Sequence, residues 1–349
     1  MRRVVILLAV VSAVLAPVAT ASQVVSTSTA TGVKLGVNDK GQAFLSYKSG
    51  GKDVNVLAWG AVNAIPPTPG GKQVAFQLDY SGGYTLFKDD LAKATKQLRA
   101  DQAALRFTQA AAAKQGKKYT PDVTKASTAI QKDYADIQKL HAQSNDYGKA
   151  FSCPKYTGPQ LAWMVVACTA PDGSYWAVQS WQRLLPDYGI TPTAIQSAWE
   201  VHLSHWTGAL PQLNIQTDWA WHQWDHLFGT YTYGDSAVYG FKSTSLGAPL
   251  DSFGRNLYVD TFDSKYGPGW VRENSFLTHT HTGVFCYSFN PHGEHPAGNG
   301  TKYRATILGP GVTPDVMWEG TPPGAYDKAL DATANAEIAS LHDNQCKPN

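Results

Sequence analysis

Residues 160–181 read QLAWMVVACTAPDGSYWAVQSW. Two apolar runs flank Pro171-Asp172-Gly173, a tripeptide whose proline and glycine favour a tight reversal. The stretch therefore reads as an antiparallel β-hairpin. The same grammar recurs on either side of it. VKLGV and AFLSY flank NDKGQ, and KDVNVLAWGAV follows a Gly-Gly turn. In QVAFQLDY, Val74, Phe76 and Leu78 alternate with polar residues, the period of a half-buried strand. Leu213, Ile215, Thr217, Trp219 and Trp221 alternate in the same way, FGTYTYGDSAVYGF turns at Gly234-Asp235-Ser236, and NLYVDTF and YRATILGPGV supply further strands. Eleven Trp, 17 Tyr, 31 Gly and 20 Pro suit many short strands and turns. The expected fold is mainly β, an antiparallel β-sandwich or jelly-roll-like body.

One segment breaks the pattern. Residues 88–147 are rich in Ala, Lys, Gln and Asp and hold no Trp. Leu91, Leu98 and Leu105 recur every seven residues, as do Val123, Ile130 and Ile137. Two such tracks joined by KQGKKYTP predict an antiparallel helical hairpin inserted into the β body. Thr120 is the expected N-cap, with Pro121 at the first helical position, where its missing N–H costs nothing. A 26-residue first helix would span about 39 Å. Such an insertion either lies against the sheet or projects as an arm that docks a partner protein.

The ends bound the compartment. Arg2 and Arg3, the apolar run Val4 to Ala16 and Ala19-Thr20-Ala21 have the three-part form of a secretory signal peptide over residues 1–21. Export leaves residues 22–87 as an N-terminal β segment, 88–147 as the insertion and 148–349 as the main β-rich region, which forms one body with 22–87. No later run reaches the length of a membrane span. The chain carries 29 Lys+Arg and 27 Asp+Glu; without Arg2 and Arg3 the balance is 27 to 27. That neutrality lacks the basic footprint of nucleic-acid binding. The expected location is secreted, extracellular or associated with the cell envelope.

Cys153, Cys168, Cys286 and Cys346 make an even set, which in an exported chain implies two disulfides and leaves three connectivities. Cys153–Cys168, the closest pair, with Cys286–Cys346 is the favoured arrangement.

Three clusters carry candidate chemistry. In 278–296, THTHTGVFCYSFNPHGEHP, a continuous strand over 276–289 would put His279 and His281 on one face, close enough to chelate. His292 or His295 could complete a zinc or copper site. In DWAWHQWDHLFG, Trp219, Trp221 and Trp224 could line a groove that stacks a sugar. In the stretch around 255–273, Trp270 could be a carbohydrate platform beside Arg272, with Asp260 or Glu273 as acid and base groups. Each has a plainer reading: a hydrogen-bonded sheet face, core packing, and Arg–Asp pairs bracing loops. EVHLSHWTG adds Glu200 and His202 on one strand face, with His205 nearby. Nucleophile-elbow, zinc-protease helix and phosphate-loop motifs are absent from the sequence.

APDGSYWAVQSWQRLLP, GRNLYVDTFDSKYGPGWVRENSFLTH and PGVTPDVMW resemble segments of secreted bacterial proteins that carry no assigned activity. The resemblance implies export and a β-rich body and transfers no catalytic residue. The expected function is a non-catalytic extracellular or envelope-associated module that binds carbohydrate or another envelope component. The alternatives are a metal-dependent or carbohydrate-active hydrolase built on His279 and His281, and a scaffold acting through the helical arm.

Overall fold

The computed structural model describes residues 22–65, 73–182, 198–220, 224–238, 257–264, 267–272, 276–279, 284–289, 300–340 and 342. The expected signal peptide lies outside these residues. Four antiparallel sheets and three α-helices make up the described chain.

The hairpin signals of the N-terminal region hold. Strands β2 (Ala30–Val37), β3 (Ala43–Ser49), β4 (Lys52–Gly60) and β5 (Phe76–Asp79) pair in sequence order. A second sheet runs β1-β8-β7-β6, from β1 (Gln23–Ser26), β6 (Met164–Thr169), β7 (Tyr175–Trp181) and β8 (Glu200–Trp206). Asp172 organises the β6–β7 turn by accepting from the amide and the hydroxyl of Ser174. These two sheets share one core: Leu35, Leu45 and Val56 from the first meet Trp176, Val178 and Leu203 from the second. Cys153 and Cys168 form a disulfide, Cα atoms 5.0 Å apart, which ties the chain leaving the helices to β6.

The third sheet joins β9 (Gln212–Ala220), β10 (Trp224–Tyr233), β11 (Ser236–Ala237), β14 (Phe276–His279) and β15 (Val284–Phe289). The fourth runs β13-β12-β16-β17, from β12 (Leu257–Ser264), β13 (Gly267–Arg272), β16 (Lys302–Ile307) and β17 (Val316–Gly320). This pair shares a second core, in which Leu227 and Tyr231 meet Val259, Tyr303 and Ile307. Trp181, Tyr258 and Leu308 form a smaller apolar cluster that links the two halves.

One expectation is corrected here. Residues 276–289 are two strands, not one: Phe276 pairs with Ser288 and His279 with Phe285, antiparallel. The chain must therefore reverse between His279 and Val284, and the alternation that put His279 and His281 on one face no longer applies.

The insertion is a helical hairpin. Helix α1 (Thr85–Lys114) packs on α2 (Pro121–Asp146), and a third helix, α3 (Lys328–Ser340), lies beside β9. Of the seven-residue tracks, Leu91, Leu98 and Val123 are buried and Leu105, Ile130 and Ile137 are half-buried. Thr120 caps α2, its hydroxyl accepting from Val123 N at 3.3 Å, with Pro121 at the first position. Helix α1 starts three residues before the expected boundary. The reason is local: the Asp79 carboxylate accepts from the amides of Ser81 and Gly83 and from the Thr85 hydroxyl, which sets the first turn. At 30 residues α1 spans about 45 Å.

An aromatic knot holds the base of the hairpin. Tyr147 stands edge-on to Phe87 and Phe151 and donates to Gln42 on the β2–β3 turn. Gly148 is required there, because a Cβ would come within 2.7 Å of the Phe44 ring. Farther along, Phe107 is 77% exposed and Tyr119 71%.

Candidate functional site

The fourth sheet places charges in a row. Cross-strand register sets Arg272 opposite Asp260 and Asp260 opposite Arg304, so three strands present one ion cluster on a single face. Arg272 Nε lies 2.8 Å from Asp260 Oδ1; Arg304 donates from Nε at 3.0 Å and Nη2 at 2.6 Å to Oδ2. All three residues are buried. A buried carboxylate with two guanidiniums is tolerated only when its oxygens are saturated, as here.

Aromatic rings enclose the guanidiniums. The Arg304 carbon Cζ lies 4.1 Å from the Trp270 ring centroid and 4.6 Å from that of Trp163, and Arg272 stacks over Tyr258 at 4.4 Å. Contacts of this length are cation–π interactions. Trp163, Trp181, Trp199, Trp270, Arg304 and Asp260 line a pocket of about 260 Å³ that also touches Arg272, Gln182 and Thr306. Trp199 is 40% exposed at its rim. The pocket thus offers flat apolar faces, with two guanidiniums held in its wall.

Of the residues singled out in the sequence, Trp270, Arg272 and Asp260 converge on this pocket. Trp219 does not join them: it is buried, with its ring edge-on to Tyr326 at 5.4 Å. Trp221, His281, His292, His295, Glu273 and Cys346 lie outside the described residues. His279 and Cys286 are placed on β14 and β15 as main chain. Among the described residues no group of three His, Cys, Asp or Glu is disposed to hold a metal ion. The sequence did not point to Arg304, Trp163 or Trp199. Arg304 carried a readable signal all the same, a charge between the apolar Tyr303 and Ala305 in the strand KYRATI.

A second polar cluster lies between the two halves and is closed to solvent. Asp315 accepts from the Ser22 hydroxyl, from Trp181 Nε1 at 2.8 Å and from Gly309 N at 3.0 Å. His202 Nδ1 lies 2.6 Å from Asp315 Oδ2, and its Nε2 faces Glu200 at 3.6 Å. Gln179 holds the Asp315 main chain through both ends of its amide. Serine, histidine and aspartate are present, but the wiring is not that of a nucleophile. A catalytic triad engages opposite ring nitrogens with its serine and its carboxylate. Here both Ser22 and Asp315 meet Nδ1, and the serine hydroxyl is spent on the carboxylate.

His205 forms a third set. Its ring stacks on Trp176 at 3.9 Å, Nδ1 donates to the Ala61 carbonyl at 3.0 Å, and Nε2 meets the Ser174 hydroxyl at 2.9 Å. Burial lowers its pKa to about 4, so it is neutral at pH 7. The partners named for both histidines are groups of the protein itself.

No protein-family model matches the chain, and no curated protein matches it. Among the described residues no helix is long and apolar enough to cross a membrane. The fold and pocket define an antiparallel β protein with a two-helix arm and an arginine-bearing aromatic pocket.

Proposed function

We propose that the protein is an exported, non-catalytic module that binds carbohydrate of the envelope or its surroundings in the Trp163–Trp199–Trp270 pocket. The observation that carries this reading is Arg304, packed between two indole rings and anchored by Asp260 at the pocket wall. Indole faces stack on the apolar faces of sugar rings, and a guanidinium held in place donates to hydroxyl or carboxylate oxygens. The guanidiniums outnumber the carboxylate in this cluster, which favours a saccharide bearing an acidic group. The pocket volume suits one sugar ring with its neighbours extending into solvent. Asp260 accepts from two arginines, which supports a binding role for this cluster over the acid or base role considered for Asp260. The layered sandwich or jelly-roll arrangement remains part of this reading, since each pair of sheets shares a core.

The test is calorimetric titration of the exported protein with uronic-acid-bearing oligosaccharides and their neutral counterparts. Saturable binding that weakens at least tenfold in Trp199→Ala, with unchanged melting, supports the reading. No binding to either set ends it.

The arm is a second interaction element. Phe107 and Tyr119 stand exposed well away from the aromatic knot, and a protein partner docking on them would use aromatic anchors.

A further inference from the structure

Ser22 occupies a position that a chain interior rarely offers. It immediately follows Ala19-Thr20-Ala21, the expected processing site, and immediately precedes β1, which pairs with β8 through Gln23–Leu203 and Val24–His202. It is nonetheless buried, with its hydroxyl on Asp315 and 3.2 Å from His202 Nδ1. Its φ is 28°, in the region where the preceding carbonyl crowds Cβ and which non-glycine residues avoid.

We infer that cleavage between Ala21 and Ser22 is a maturation step that completes this buried site, with the α-ammonium of Ser22 as the charge partner of Asp315. Three observations support this. First, the Ser22 nitrogen is three bonds from its own Oγ, about 3 Å away, and Oγ is hydrogen-bonded to Asp315; the nitrogen therefore falls within about 6 Å of that carboxylate. Second, the groups that meet the Ser22 hydroxyl are the Asp315 carboxylate, on the loop before β17, and His202 Nδ1, on β8, with Glu200 beyond the imidazole at Nε2. Third, an N-terminal residue has no preceding carbonyl, so hydrolysis of the Ala21–Ser22 bond removes the crowding that makes this φ costly. The step is a hydrolysis in which water supplies OH to the Ala21 carbonyl and a proton to the Ser22 nitrogen. The new amine, ordinarily titrating near pH 8, binds a second proton at neutral pH. The inference goes beyond the pocket reading and stands or falls without it.

The experiment has two arms. Intact mass and N-terminal sequencing of the chain secreted by a bacterial host should show Ser22 as the first residue. Protein released from a fusion so that it begins at Ser22 should then be compared with protein that keeps Ala21. The expected result is a melting temperature at least about 5 °C higher for the chain that begins at Ser22, because the single added residue moves the ammonium from Ser22 onto Ala21 and restores the crowded peptide. A mature N-terminus elsewhere, or equal melting of the two proteins, overturns the inference. Because the extended protein differs by one alanine at its end, both are expected to fold, and the comparison does not depend on a core substitution.

Discussion

Arg304 and Asp260 stand directly opposite each other on β16 and β12, joined through Nη2–Oδ2 at 2.6 Å and Nε–Oδ2 at 3.0 Å. Arg272 closes the same carboxylate from β13. One aspartate therefore fixes the direction of two guanidiniums, and two indoles fix the plane of one of them. If the pocket binds a ligand as proposed, groups held in this way lower the ordering cost of binding.

Asp260→Asn should leave two buried guanidiniums without their shared anion. Removing one partner of a buried ionic cluster costs about 3–5 kcal/mol. Chemical denaturation at pH 7 should show that loss, and ligand binding should fall with it. A loss below about 1 kcal/mol would mean that water already satisfies the arginines.

His205 predicts an acid-sensitive brace. Its pKa is about 4 in the fold, below the unfolded value of about 6.5, so the unfolded chain takes up the proton first. Stability is fully present above about pH 6.5 and is lost as pH falls towards 4. The loss attributable to this group is about 3 kcal/mol, and His205→Gln should flatten that limb of the stability–pH curve. An unchanged slope in the variant would assign the acid limb to other groups.

Asp218 on β9 predicts the opposite slope. Burial, with Asp331 of α3 adding in the same direction, raises its pKa to about 6. The folded state therefore prefers the protonated acid, and stability contributed below about pH 4 is lost as pH rises through 6. Asp218→Asn should stabilise the protein at pH 7.5 by about 1–2 kcal/mol once screening is allowed for, with little effect at pH 4. Urea titrations at the two pH values check this. Equal curves for variant and parent at pH 7.5 would refute it.

The helical arm should be separable from the sheets. Its helices pack on each other, and Phe87, Tyr147 and Phe151 tie them down at the base. Replacing residues 88–145 with a short Gly/Ser linker should remove most of the helical circular dichroism and keep the cooperative melting of the β body. Gly148→Ala, which drives a Cβ into the Phe44 ring, should instead loosen the base and lower the melting temperature of the whole chain. An insoluble linker variant would show that the sheets depend on the arm.

Much of the architecture was legible along the chain because it rests on short-range signals. Turn residues located β2 to β4 and alternation located β5 and β9; Pro171-Asp172-Gly173 located the β6–β7 turn; seven-residue spacing and the Thr120-Pro121 cap located the arm. The error over 276–289 has a physical cause. A run of alternating residues reads the same whether it stays extended or folds back on itself, since pairing partners leave no local mark. The site was half legible. Trp270, Arg272 and Asp260 drew notice as charges and an indole in a sparsely charged chain, but the segment said nothing of what they face.

The sequence by itself determined that this is a β-rich chain with a two-helix insertion and a leader-like N-terminus, and it favoured Cys153–Cys168 among three connectivities, because backbone propensity, capping and short loop closure act within a few tens of residues. Only the tertiary structure decided that Arg304, 44 residues from Asp260, would be its partner, that Trp163 and Trp199 would wall the same pocket, and that Ser22 would meet Asp315 across 293 residues. Those meetings are set by strand register and by the packing of one sheet on another, and both are free energies of the whole chain rather than of any segment of it.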